Sequence, residues 1–270
     1  TATTEIYTLS LHDALPIFGG TTESVTLANA IASRRIPCTV TVTTTAAKSL
    51  YPQTPNLRVR VGRLDTNELE QFLEKHGIVA ILDASHPYAV EISQIAISAA
   101  CARHIPYLRF ERQQLNSQVS SELDNSPIIY LNSFQELISG NYLHQQRVLL
   151  TIGYKHLPLF RSWQDQSTLY ARILPSVTAI DVAIASGFSP NRIIALRPPI
   201  PAELEKALWH HWDISVVVTK ASGVAGGEDI KRALATELGI SLVIITRPVV
   251  DYPQQTSHVS VGLEFCDRYV

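Results

Sequence analysis

Two kinds of hydrophobic pattern alternate along the chain and predict an α/β fold. Short runs of β-branched and aliphatic residues, such as 37–43 and 79–83, are typical of strands that are buried on both faces. Other segments place apolar residues three or four positions apart, as in 22–35 and 68–76, which is typical of helices. Because the two kinds alternate, we expect parallel sheets with helices on both faces.

This alternation occurs twice, on either side of a polar segment. Residues 113–127 are rich in Gln, Asn and Ser and are interpreted as a connector. We therefore predict two Rossmann-like, doubly wound parallel-sheet lobes, over 17–112 and 128–270, with a ligand cleft between them at the carboxyl ends of the strands. The predicted strands lie at 37–43, 57–61, 79–83 and 106–110, and at 128–131, 147–151, 168–174, 192–196, 214–219 and 240–245.

Residues 1–16 do not fit this pattern. The chain contains no methionine, even at position 1, and the segment has neither the basic nor the apolar region of a secretory signal. His12, Asp13 and Pro16 stand where a buried strand favours Val or Ile. We expect residues 1–16 to be an extension that is foreign to the native protein.

Composition and charge narrow the class of protein. Of the 270 residues 46% are hydrophobic and 17% charged, which favours a well-buried globular enzyme. The net charge of −2 argues against a nucleic-acid or membrane-surface partner, and no apolar run approaches the roughly 18 residues of a membrane helix. The three cysteines are far apart and form no CxxC pair, which suits a reducing, cytoplasmic location.

A glycine pair follows the first apolar run. Ile17 and Phe18 lead into Gly19 and Gly20, and a helical pattern begins after Thr21-Thr22-Glu23. A strand that turns on glycines into a helix can bind an anion, because the first helical N–H groups point at the turn. The GxGxxG fingerprint is absent, so a plain helix cap after a tight turn is an equally open interpretation.

The end of the next strand bears on the choice of cofactor. In the classical dinucleotide fold a carboxylate at this position binds the ribose hydroxyls of NAD. Here Thr43, Thr44 and Thr45 lead to Lys48 without a carboxylate. Hydroxyls and a cation suit a 2′-phosphate, which favours NADPH and leaves NADH possible. The alternative is that Lys48 is an ordinary surface residue and the threonines are ordinary strand residues, without a role in cofactor binding.

Polar side chains also follow the strands at 79–83 and 106–110. Asp83, His86 and Tyr88 lie close together in sequence, so His86 is a candidate for proton transfer and Asp83 a candidate to orient it. The alternative is that His86 caps the next helix. No cysteine or second histidine lies nearby, so no metal site is expected. Arg109 and Arg112 are candidates to bind carboxylates, with a solvated rim as the alternative.

The second lobe repeats the combination of strand, glycine and lysine. Residues 151–155 contain Gly153 and Lys155, and residues 219–227 contain Lys220, Ser222 and Gly223. The second motif precedes a helix and is interpreted as an anion cradle. It lacks the GxxxxGK[ST] order of a P-loop, which disfavours an NTPase.

Taken in order, these motifs resemble a known family. The strings GGTTES, DASHPYA, LRFER, TIGYK, ARILPS, RIIALRPPIP, VTKASGVAGG and LVIITRP occur in this order over about residues 17–248. This set resembles the precorrin-6A reductases of cobalamin biosynthesis, which include the cobalt-precorrin-6A reductases.

The resemblance implies hydride transfer from a reduced nicotinamide cofactor to a carbon–carbon double bond of a tetrapyrrole, with other cobalamin-pathway enzymes as candidate partners. A non-catalytic module that binds a nucleotide or tetrapyrrole is the alternative. A short-chain dehydrogenase is disfavoured because no tyrosine has a lysine four positions later. The implied residues are Gly19, Gly20, Thr21, Glu23, Thr43, Thr44 and Asp83 for the cofactor, His86, Tyr88 and Lys220 for catalysis, and Arg109, Arg112, Lys155, Ser222 and Gly223 for the substrate.

Overall fold

The computed structural model describes residues 15–115 and 127–270. The chain forms two compact units. The first contains the described residues up to Arg112 together with Val249–Val270, and the second is Gln113–Pro248. The predicted α/β class with two doubly wound parallel sheets is confirmed. Most of the predicted connector, residues 116–126, lies outside the described residues.

The first unit contains a six-stranded sheet in which all neighbouring strands are parallel. Its order, β12-β5-β4-β1-β2-β3, is the 3-2-1-4-5-6 order of dinucleotide-binding folds. The order reverses between β1 and β4, and ligands of such sheets bind at the carboxyl ends of the strands beside this point. The strands are β1 (Pro16–Phe18), β2 (Cys38–Val42), β3 (Leu57–Val61), β4 (Ile81–Asp83), β5 (Tyr107–Phe110) and β12 (Gln255–Thr256).

Apolar clusters lie on both faces of this sheet. One contains Leu27, Val40 and Phe265, and the other Phe18 and Ile81. Both faces are therefore covered, as the β-branched runs predict. The helices are α1 (Thr22–Ser33), α2 (Thr45–Lys48), α3 (Thr66–Lys75), α4 (Val90–Arg103) and α9 (Val259–Tyr269).

The last residues of the chain belong to the first unit. The prediction that 128–270 forms one lobe is therefore wrong for Val249–Val270. β12 pairs in parallel with β5, and Phe265 and Cys266 of α9 are buried in the same core cluster as Leu27 of α1. These contacts place the C-terminal segment in the first sheet and its helical layer.

The first strand begins within the segment predicted to be foreign. Leu15 and Pro16 are buried, Pro16 pairs with Thr39, and the carbonyl oxygen of Leu15 accepts a hydrogen bond from Thr39. These two residues therefore belong to the first sheet, and the expectation that they are foreign to the native protein stays a prediction. Proline is tolerated here because it is the first residue of the strand. Residues 1–14, the rest of the predicted extension, lie outside the described residues.

The second unit contains another six-stranded parallel sheet, in the order β6-β11-β10-β7-β8-β9. Read from β9, this is the same spatial order as in the first unit, with the reversal between β7 and β10. The edge position that β12 fills in the first sheet is filled here by β6. The strands are β6 (Ile128–Leu131), β7 (Arg147–Leu150), β8 (Thr168–Ile173), β9 (Ile193–Ala195), β10 (Val216–Lys220) and β11 (Ser241–Ile245).

Alternate residues of the central strands enter different apolar clusters. Val148 and Val218 belong to one cluster, whereas Leu149 and Val217 belong to the other, so the second sheet is also buried on both faces. The helices are α5 (Phe134–Ser139), α6 (Val177–Ala185), α7 (Ala202–His211) and α8 (Glu228–Leu238), with 3-10 segments at Tyr154–Trp163, Pro190–Arg192 and Val224–Gly226. Within the described ranges no helix has the length and apolar character needed to cross a membrane.

Candidate active site

Four of the predicted motifs lie at the ends of the four strands where the strand order reverses, β1 and β4 in the first sheet and β7 and β10 in the second. The glycine pair follows β1 and the His86 segment follows β4. In the second unit, Gly153 follows β7, while Lys220 ends β10. Parallel strands end at the same edge of their sheet, so each unit gathers its own pair of motifs at the position where such sheets bind ligands.

Glycine is required at both positions of the turn after β1. A Cβ atom on Gly19 would lie 2.7 Å from Cγ1 of Val40 and would also collide with the Tyr51 hydroxyl. Gly20 has a φ of +104°, which side chains disfavour, and the space where its Cβ would stand is open. The turn is therefore tightly packed on its inner side and open at Gly20.

Buried hydroxyls hold this turn from inside. The Gly20 N–H donates to the Tyr51 hydroxyl at 2.7 Å and to Ser24 Oγ at 3.1 Å, and those two oxygens lie 2.6 Å apart. Burial raises the pKa of Tyr51, although its hydrogen bonds with Ser24 and Gly20 act in the opposite direction, so the phenol remains protonated. Tyr51 has no sequence signal, because it lies in a loop far from the glycines.

Thr21 caps helix α1 through its side-chain hydroxyl. Its Oγ1 accepts from the Ser24 N–H at 3.0 Å and donates to the Ala84 carbonyl at 3.1 Å. The hydroxyl hydrogen is thus directed at the protein, and the cofactor contact predicted for Thr21 stays a prediction. The cap leaves the N–H groups of Thr22 and Glu23, the first two helical residues, without i−4 partners in the helix. The turn is thus a helix cap that directs two N–H groups outward.

Replacing Tyr51 by phenylalanine is expected to lower the free energy of unfolding by about 1–2 kcal/mol. The change leaves the Gly20 N–H and Ser24 Oγ with one buried partner fewer. Urea-induced unfolding measures the effect. Tyr269→Phe removes only the hydroxyl of a ring that packs on Phe265, and it is expected to change stability by less than about 0.5 kcal/mol. Equal effects of the two substitutions would contradict the assigned role of Tyr51.

Asp83, at the end of β4, is fully buried. Its carboxylate accepts hydrogen bonds from Ser93 Oγ and the Tyr107 hydroxyl, both at 2.6 Å, and from the Ser85 N–H at 2.9 Å. It also pairs with Arg109 at 2.8 Å. The predictions that Asp83 binds a cofactor and orients His86 are therefore wrong, because its oxygens are occupied inside the protein.

Arg109 is likewise buried, with none of its side chain exposed. Its guanidinium donates to Asp83, to Ser85 Oγ at 2.9 Å and to Glu111 Oε2 at 2.6 and 2.8 Å, and it lies 5.2 Å from the ring centre of Tyr252. Burial acts to lower its pKa, but the Asp83 and Glu111 carboxylates outweigh this effect and raise the pKa. The prediction that Arg109 binds substrate is wrong, since the side chain is enclosed.

His86 and Tyr88 lie on the segment that this buried ion-pair cluster supports. His86 Nδ1 accepts the Tyr88 N–H at 3.2 Å, so a neutral His86 ring carries its proton on Nε2. The two rings are 5.8 Å apart, and both side chains are partly exposed. Helix α4 begins after Ala89, and the His86 carbonyl accepts the Ala89 N–H at 2.7 Å, so His86 lies in the turn that leads into the helix.

The other residues predicted for the first unit lie closer to its surface. Glu23, in the first turn of α1, pairs with Arg112 at 3.1 Å, so both charges lie beside the glycine turn. Thr43 and Thr44 are exposed, and Thr44 caps α2 through the Ala47 N–H. Lys48 follows in the same short helix and is exposed. The end of β2 thus presents hydroxyls and an ammonium group to solvent.

In the second unit, three basic side chains gather at the reversal point. Burial and the charge of Lys155 lower the pKa of Lys220 to about 8. Burial, Lys220 and Lys155 lower the pKa of His156 to about 4, so this imidazole is neutral near pH 7. His156 stacks on Phe134 with ring centres 4.3 Å apart. Gly153 has a φ of +79°, and a Cβ atom at this position would lie 4.0 Å from Lys220 Nζ. Both lysines lie in predicted motifs, whereas His156 immediately follows the TIGYK motif and was not predicted as a site residue.

The loop after β10 differs from the predicted anion cradle. The Gly223 N–H donates to Glu228 Oε2 at 2.7 Å, and the N–H groups of Gly226 and Gly227 donate to carbonyls within the loop. An internal carboxylate therefore occupies the place predicted for a ligand anion. The predicted substrate contact through the Gly223 N–H is wrong, whereas the side chain of Ser222 is partly exposed.

Comparisons with known proteins point to one family. Residues 14–267 match the family described as "Precorrin-6x reductase CbiJ/CobK". The chain is 43% identical to the cobalt-precorrin-6A reductase of Synechocystis sp., over 94% of this chain and 96% of the relative. It is 32% identical to that of Priestia megaterium, over 87% and 91%. The structure of CobK precorrin-6A reductase, 23% identical, superimposes with a TM-score of 0.75 over 94% of this chain and 96% of that one. The chain therefore belongs to the precorrin-6x reductase family CbiJ/CobK.

Proposed function

We propose that this protein reduces precorrin-6A, or its cobalt complex, to the dihydro form in cobalamin biosynthesis, with hydride from a reduced nicotinamide cofactor. The relatives named cobalt-precorrin-6A reductase support this activity. In this chain, the main support for the activity is the group formed by Lys155, Lys220 and neutral His156 where the strand order of the second sheet reverses. The ammonium groups suit a tetrapyrrole that bears many acetate and propionate carboxylates.

The first unit fits a nicotinamide dinucleotide. Its strand order is that of dinucleotide-binding folds, and the Gly20 side of the turn is open enough for a phosphate to approach the backbone. The N–H groups of Thr22 and Glu23 are proposed to bind the pyrophosphate, with the Glu23 carboxylate neutralised by Arg112. Exposed Thr43 and Lys48 favour the 2′-phosphate of NADPH over NADH.

The cofactor, when bound, supplies a hydride to one carbon of the double bond. A proton must reach the other carbon, and we assign its delivery to Lys220. With a pKa of about 8, its ammonium group is charged near pH 7 and is acidic enough to release a proton. Lys155 and Ser222 are proposed to hold substrate carboxylates, and His86 and Tyr88 to contact the cofactor beside the glycine turn.

The test is turnover under anaerobic conditions with precorrin-6A and, separately, its cobalt complex. We expect NADPH absorbance to fall together with a change in the tetrapyrrole spectrum, and NADH to support a slower reaction. A protein that binds both NADPH and substrate tightly without oxidising NADPH would instead be the non-catalytic binding module. Equal rates with the two nucleotides would contradict the role given to Thr43 and Lys48.

A further inference from the structure

Two buried side chains of helix α8 form hydrogen bonds with the backbone of the loop that follows β10. Glu228 and Lys231 are 1% and 2% exposed, and they lie three positions apart on the same helix. An isolated charge is costly to bury, so each is expected to have specific partners. Both have partners in the loop formed by Ser222 to Gly227, here called the 222–227 loop.

Glu228 holds the beginning of the 222–227 loop. One carboxylate oxygen accepts the Gly223 N–H at 2.7 Å, and the other accepts from Arg232 at 2.6 and 3.0 Å. Arg232 is also hydrogen bonded to the hydroxyl of Tyr130, which lies in β6. The carboxylate thus joins the loop to the helix and, through Arg232, to the neighbouring sheet.

Lys231 holds the end of the same loop. Its ammonium group donates to the carbonyl oxygens of Gly226 and Gly227, at 2.9 and 3.0 Å. Burial and the charge of Arg172 lower its pKa to about 8, whereas Glu205 and Glu228 act to raise it. Near pH 7 the side chain therefore remains a charged donor at the end of the loop.

These contacts extend through the loop to the proposed substrate residues. Ser222 packs so closely on Gly226 that a Cβ atom there would overlap its side chain. The Ser222 N–H in turn donates to the Lys220 carbonyl at 2.6 Å. Displacement of Gly226 and Gly227 would therefore displace Ser222 and change the surroundings of Lys220.

We propose that Lys231 and Glu228 are positioning residues, which fix the 222–227 loop so that Ser222 and Lys220 are held in place for the substrate. The inference rests on the proposed function for its catalytic consequence. The placement of Lys220 by the loop is a property of the protein alone, so it can be measured without substrate.

The first measurement is the titration of Lys220, followed by NMR of ¹³C-labelled lysine and assigned with Lys220→Arg. In the wild-type protein we expect a midpoint of about 8. In Lys231→Met the loosened loop exposes Lys220 to water, so its midpoint rises toward the ordinary value of 10.5. Lys206→Met is the matched control, because Lys206 forms an exposed pair with Glu237 near the other end of α8.

The second measurement is steady-state kinetics with the same variants. Lys231→Met is expected to lower kcat/KM by about 10²-fold, the scale of a 1 Å misplacement, while the Kd for NADPH changes less than about twofold. Lys206→Met is expected to match the wild-type protein. Inactivity of the wild-type protein would overturn the proposed function, and the NMR titration would still decide whether Lys231 positions Lys220.

Gly226→Ala provides a variant that leaves every buried charge in place. Its Cβ pushes Ser222 out of position, so the Lys220 midpoint and kcat/KM are expected to change in the same directions as in Lys231→Met. If Lys231→Met does not fold, Gly226→Ala and Glu228→Gln carry the test. A Lys220 midpoint that stays near 8 in the folded variants would overturn the proposal, as would kcat/KM within about threefold of the Lys206→Met value.

Discussion

Replacing Arg109 by methionine is expected to lower the free energy of unfolding of the first unit by about 3–5 kcal/mol. The substitution keeps most of the apolar stem and removes the guanidinium, which leaves Asp83 and Glu111 buried without their cation. Breaking a buried ion pair from one side is costly, because the remaining carboxylate charge stays buried without an opposite charge to compensate it. Hydrogen exchange at the amides of β4 and β5 measures the loss within this unit.

Arg63→Ala is the matched control for this prediction. Arg63 and Glu91 also pair at 2.8 Å, but their side chains are 70% and 74% exposed. An exposed ion pair typically contributes less than about 1 kcal/mol, because water solvates each partner after the other is removed. The interpretation of Arg109 as the centre of a structural cluster fails if the two substitutions are equally destabilising.

Replacing Lys220 by methionine is expected to lower kcat by about 10²- to 10⁴-fold, the usual contribution of a general acid. Lys220→Arg separates the two roles of the ammonium group. Arginine keeps the positive charge for a substrate carboxylate but does not release a proton near neutral pH, so KM should recover while kcat stays low. Steady-state kinetics with NADPH and the tetrapyrrole make this comparison. Recovery of kcat in Lys220→Arg would exclude lysine as the proton donor.

The pH dependence follows from the direction of the pKa shift. Burial and Lys155 lower the pKa of Lys220 to about 8, so kcat/KM of the wild-type enzyme should fall above that pH as the proton is lost. Lys220→Arg should lack this decline. Because the folded-state pKa lies below the ordinary 10.5, protonation of Lys220 opposes folding below about pH 8, and this penalty fades between about 8 and 10.5. Lys220→Met should therefore be no less stable than the wild-type protein at neutral pH.

The sequence predicted the sheets well because their central strands have an unmistakable pattern. The runs around Val40 and Val217 consist of apolar or β-branched residues throughout. Such continuous runs are typical of strands that are buried on both faces of a sheet. The sequence could not predict the destination of β12. This strand is the dipeptide Gln255–Thr256, and no periodicity exists in two polar residues. Its partner, β5, lies in the other half of the chain.

Site residues could be located from sequence, but their partners could not. The alternating charges of residues 109–112 suggested a solvated rim, yet Tyr252 and Asp83 enclose Arg109 from distant parts of the chain. The 222–227 loop has the composition of an anion cradle. Only the structure shows that Glu228 provides the anion.

The position of β12 and α9 has a consequence for synthesis of the protein. Gln113–Pro248 is a continuous stretch, whereas the first unit needs Val249–Val270 to complete its sheet and its helical layer. Domains generally fold as units during translation, the N-terminal one first. Here the six described strands of the second sheet leave the ribosome before β12 of the first sheet does. The β5 edge of the first sheet therefore stays unpaired until residues 249–270 have been synthesised.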